Sequence, residues 1–68
     1  MRYAIVIEGE PGRYSAYVPD LPGCVTAGET IDEVTHDMIE AIQMQIDGLR
    51  EDGLPIPEAT TQVDYIEI

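Results

Sequence analysis

The sequence has no lysine, no tryptophan and no phenylalanine, and only one cysteine and one histidine. The single cysteine, Cys24, excludes an intrachain disulfide. One cysteine and one histidine cannot supply a Cys/His set with metal-ligand spacing, so no metal or other cofactor is expected. Arg2, Arg13 and Arg50 are the only basic residues, set against 14 Asp and Glu, for a net charge of −11. Three scattered arginines cannot build the basic patch that phosphate recognition requires, so direct nucleic-acid binding by this chain alone is not expected. The longest uncharged apolar run, Tyr3–Ile7, falls far short of the roughly 20 residues of a membrane span. Met1-Arg2-Tyr3 opens directly into strand-like sequence and lacks a signal peptide's apolar segment and cleavage site. A cytoplasmic protein with a reduced thiol is the expectation.

What remains suits one small folded domain spanning residues 1–68. Hydrophobic residues make up 44% of the chain, which favours a core over disorder. A domain this short buries only about 60% of its unfolded surface. Without a disulfide or a metal, association with another copy or a partner is the remaining way to add stability. The strong negative charge attracts and steers a basic protein partner, or serves solubility alone.

Tyr3–Ile7 reads as a strand with both faces apolar, hence central in its sheet. Glu8-Gly9-Glu10-Pro11-Gly12 reads as a turn, Arg13–Val18 as a second strand and Cys24–Ala27 as a short third. Pro19, Leu21, Pro22 and Gly23 form a rigid connection, with Leu21 as a core plug. Thr30-Ile31-Asp32-Glu33 fits a capping box at the start of a helix. Ile31, Val34, Met38, Ile39, Ala41, Ile42, Ile46 and Leu49 make its apolar stripe. Gly53, Pro55 and Pro57 end it. Val63–Ile68 reads as a final strand of imperfect alternation. The expected fold is α+β, β-β-β-α-β: an antiparallel meander plus one parallel strand, order 3-2-1-4, with the helix on one face. The other face keeps Ala4, Val6 and one of Tyr14 or Tyr17, and an apolar surface of that kind marks association. A homo-oligomer, first of all a dimer, is expected through that face or through a strand edge.

The run from Tyr14 to Val34 contains Pro-Asp-Leu-Pro-Gly-Cys at Pro19–Cys24 and Gly-Glu-Thr at Gly28–Thr30. Asp-Gly-Leu-Pro-Ile-Pro follows at Asp52–Pro57. With these pieces the chain resembles the HicB family, the antitoxin half of HicA–HicB type II toxin–antitoxin systems. The resemblance implies a partly degraded RNase H-like fold. It also implies a protein-binding function that sequesters and inhibits a small basic HicA-type toxin, an mRNA-cleaving enzyme. Many family members carry a further DNA-binding segment, which is not expected here because the expected fourth strand itself runs to Ile68. The alternative reading is a stand-alone HicB-like oligomeric scaffold or regulatory domain without a toxin.

Catalysis is not expected. His36 falls on the polar side of the helix and lacks the third group and pocket of a catalytic set. Glu33, Asp37, Glu40 and Asp47 form an acidic side, but exposed helical carboxylates do not close an oxygen cage. Cys24 reads as a small buried hydrophobe. Tyr14, Tyr17, Asp20 and Met44 are the candidate partner contacts, and Ala4 and Val6 the candidate oligomer contacts. Pro19, Leu21, Pro22, Gly23, Cys24, Gly28, Thr30 and Glu33 form the structural motif.

Overall fold

A computed structural model describes residues 1–68. Three strands precede one helix: β1 Val6–Glu10, β2 Arg13–Tyr17, β3 Val25–Gly28 and α1 Ile31–Glu51. The strands form an antiparallel sheet in the order β1-β2-β3. The α+β class and the meander match expectation, while the first strand is shifted and the expected fourth is absent, each for a physical reason.

The first strand runs three residues later than its apolar pattern suggested. Glu10 pairs with Arg13, so Pro11-Gly12 alone makes the turn, and the polar run Glu8-Gly9-Glu10 joins the ladder. At the other end, Val6 opposite Tyr17 is the last pair. Val18 donates its N–H to the Cys24 carbonyl instead, and Pro19 has no N–H to give. Tyr3–Ile5 therefore run past the end of β2 without ladder partners.

The expected fourth strand does not form. Residues 63–68 pair with no strand, and the sheet stays three-stranded. Val63 and Tyr65 fall on one parity and Ile66 and Ile68 on the other, so such a strand needs cover on both faces. Within this chain it has none: Tyr65 is 89% and Ile66 83% exposed. The radius of gyration, 13.1 Å, exceeds the roughly 11 Å of a compact chain this long. The long axis of 42 Å also exceeds the helix's own length of about 31 Å.

The helix starts where its cap demands. Thr30 is extended, and its Oγ1 accepts from the Glu33 amide at 3.0 Å. The Glu33 carboxylate reaches back to the Glu29 amide at 2.8 Å, one residue before the cap instead of the cap itself. Gly28 makes room for this, because a Cβ there would stand 3.1 Å from Glu33 Oε2 and 3.3 Å from Val34 Cγ1. At the other end Gly53 donates to the Arg50 carbonyl and Leu54 to that of Leu49, satisfying otherwise orphaned groups.

The core is one cluster: Ala16, Val18, Leu21, Cys24, Val34 and Met38. The helix lies across β2 and β3. Ile39, expected in the buried stripe, is 65% exposed at the stripe's margin.

Candidate protein-interaction site

The Pro19–Cys24 segment is two successive tight turns. Leu21 N–H donates to the Val18 carbonyl and Cys24 N–H to the Leu21 carbonyl, each at 3.1 Å. Pro19 and Pro22 each take the second position of a turn, where a fixed φ suits them. Gly23 takes the third position at φ +80°, a conformation that L side chains rarely adopt. Leu21 is fully buried beneath the turns. Cys24 is buried too, with Sγ 3.7 Å from Met38 Sδ. Burial pushes its thiol pKa up, which disfavours the reactive thiolate.

Asp20, at the tip of the first turn, is engaged inside the chain. Its carboxylate accepts from the Thr61 amide at 3.0 Å, from Thr61 Oγ1 at 2.8 Å and from Thr60 Oγ1 at 3.2 Å. The bonds from Thr61, backbone first, hold its pKa below the ordinary value of 3.8. The Tyr3 hydroxyl donates to the Pro57 carbonyl. The segment after the helix is thus tied down as far as Thr61.

Strand register settles which tyrosine faces outward. Ala16 is buried and Ile7 stands opposite it, so both point to the helix, and Tyr14 shares their face. Tyr14 packs against the core, half-buried. Tyr17 lies on the open face, paired with Val6 on one side and Val25 on the other. Val6, Tyr17 and Val25 therefore form an apolar row across all three strands, with Ala4 continuing it beyond β1. Val25 is 65% exposed and was not singled out from sequence, because four residues of β3 carry too short a pattern to assign its faces.

The helix presents a second surface. Glu33, Asp37, Glu40, Asp47 and Glu51 are exposed on its polar side, and none is ion-paired. The chain's one salt bridge, Arg13 to Glu10 at 3.5 Å, belongs to the first hairpin. Met44 stands 74% exposed in a shallow cleft lined by Glu40, Gln43, Asp47, Gly48 and Glu51. His36 is exposed on the same helix. No three His, Cys, Asp or Glu side chains converge as a metal set. No helix is long and apolar enough to cross a membrane.

The arrangement offers surfaces for docking, and comparison with known proteins supplies their context. The profile of the HicB-like antitoxin of bacterial toxin–antitoxin systems matches residues 3–67. The chain belongs to the HicB-like antitoxin family. An uncharacterized 14.9 kDa protein of the rep-hol intergenic region of Haemophilus phage HP1 is 39% identical over 66 residues, covering 97% of this chain and 50% of the phage protein. This chain thus spans half the length of that relative. A UPF0150 protein of Synechocystis is 35% identical over 67 residues, covering 97% of this chain and 85% of its own. Another, from Thermoplasma acidophilum, is 40% identical over 58 residues, with 84% of each chain covered. No solved structure gives a significant match.

Proposed function

We propose that this HicB-like chain is an antitoxin domain that binds and inhibits a small basic HicA-type toxin, a ribonuclease acting on mRNA. Membership in the family supplies the toxin–antitoxin context. The observation that carries the partner's chemistry is the polar side of α1: five carboxylates without an intrachain ion pair, with Met44 exposed among them. Such a surface complements a basic protein, and the overall charge of −11 steers it in. Met44 supplies an adaptable apolar contact at the centre. On the sheet side Tyr17 offers an aromatic contact of the kind enriched at interfaces. In this reading the chain acts in the cytoplasm by occupying the toxin, does no chemistry itself and binds no nucleic acid alone.

Co-expression tests it. A small basic protein encoded beside this one, which the reading requires, should arrest growth when induced alone, and this chain should restore growth. Failure to rescue, with both proteins present in soluble form, would contradict the reading. One observation favours the second reading, an oligomeric scaffold without a toxin: the edge of β1 and the 63–68 segment are both unpaired, as in a chain built to associate with itself. The absence of any adjacent basic toxin would favour the scaffold.

A further inference from the structure

We propose that Met44 is a reversible oxidation site, and that its sulfoxide weakens binding of the toxin to the acidic side of α1. The effect on the toxin rests on the antitoxin reading; the oxidation itself does not.

Sulfur in this chain belongs to Met1, Cys24, Met38 and Met44. Two of these side chains are sealed in the core. Met38 is 1% exposed, and its Sδ lies 3.7 Å from the Cys24 Sγ. Burial also pushes the Cys24 thiol pKa up, which keeps it in the unreactive protonated form. Met1 is exposed, but it lies off the helix, where its Sδ accepts from the Tyr3 hydroxyl at 3.4 Å. Met44 alone combines exposure with a place on the polar side of α1. Gly48, one turn further along, has no side chain to cover it, and a Cβ at Gly48 would meet nothing within 4 Å. An oxidant can therefore reach Met44 without opening the core.

The oxidant is hydrogen peroxide, which is neutral and so is not repelled by Glu40, Asp47 and Glu51 around the cleft. A lone pair of the Met44 Sδ attacks one peroxide oxygen. The O–O bond breaks, an S–O bond forms, and the other oxygen leaves as water with both protons. Sulfur loses the two electrons that peroxide gains. A thiol-dependent sulfoxide reductase reverses the step: the oxygen leaves as water, and two thiols become a disulfide.

Met44 is the one apolar side chain lining its cleft. Its sulfoxide is a polar acceptor, and the cleft offers it little. The carboxylates accept only, and the Gln43 amide is turned to Asp47, to which it donates at 2.9 Å. Water therefore solvates the sulfoxide, and a docking partner must strip that water and gains no apolar contact in return.

The full chain is treated with hydrogen peroxide, and the added oxygen is located by peptide mass mapping. It should appear on Met44 and Met1 but not on Met38, with helical circular dichroism unchanged. The oxidised chain should then bind the HicA-type toxin about tenfold more weakly, the scale of one interface anchor. Methionine sulfoxide reductase should restore binding. Met44→Leu conserves apolar volume and helix preference, so it should bind as the reduced wild type does, before and after peroxide. This separates Met44 from Met1. Oxygen on Met38 as fast as on Met44, equal or tighter binding by the oxidised chain, or a peroxide effect that persists in Met44→Leu would each overturn the proposal. A reduced chain that does not bind the toxin would contradict the antitoxin reading and remove the effect on the toxin with it, while the oxygen map still decides the oxidation site.

Discussion

Asp20 and Thr61, 41 residues apart in sequence, are joined twice through one carboxylate, by the Thr61 amide at 3.0 Å and its hydroxyl at 2.8 Å. This latch fixes where the segment after the helix parts from the body. Asp20→Ala should free the segment, raising amide hydrogen exchange at Thr61 while leaving exchange in α1 unchanged. Unaltered protection at Thr61 would show that the latch holds nothing.

The latch also predicts a pH dependence. The folded-state pKa of Asp20 is lowered from 3.8, so its contribution is complete above the ordinary carboxylate value. That contribution is lost as pH falls through the lower folded value. An NMR titration should show Asp20 and the Thr61 amide shifting together below pH 3.8. A midpoint at or above the ordinary value would contradict the hydrogen bonds described.

Leu21 ties the double turn to the core, since it is fully buried between the sheet and α1. Leu21→Ala should cost about 2–5 kcal/mol, the range for truncating a buried leucine. Domains of this kind have only about 5–15 kcal/mol in total, so the urea midpoint should fall steeply. A loss under about 1 kcal/mol would mean that the turn collapses onto the space without cost.

Much of this was readable in the sequence. Thr30 and Glu33 announced the start of the helix, because the cap is a local device of four residues. Pro19, Pro22 and Gly23 announced the turns for the same reason. Less legible was β1, where Pro11-Gly12 makes a two-residue turn and draws the polar Glu8–Glu10 into the ladder. The Asp20–Thr61 latch left no local trace, being a contact between residues 41 apart. Residues 63–68 carry strand composition, but composition names no neighbour, and within one chain none is present. Ile39 shows the same limit, since helical spacing placed it on the buried stripe while nothing in the single chain covers it.

Salt separates the two kinds of association. Two copies at −11 each repel, so screening over about 8 Å at physiological ionic strength should tighten self-association. A basic toxin is attracted by the same charge, so added salt should slow its association rate steeply. Sedimentation and stopped-flow mixing across a salt series should therefore move in opposite senses. Association rates indifferent to salt would assign the charge to solubility alone.

The most direct measurement is a titration of toxin activity. The toxin that the proposed function calls for, a purified basic ribonuclease of the HicA type, is incubated with RNA while the acidic chain is added in steps. Cleavage should fall linearly and stop once the two proteins reach a fixed stoichiometric ratio. Replacement of Glu40, Met44 and Asp47 together by alanine should weaken that inhibition. Undiminished cleavage in the presence of excess folded wild-type chain would contradict the antitoxin function.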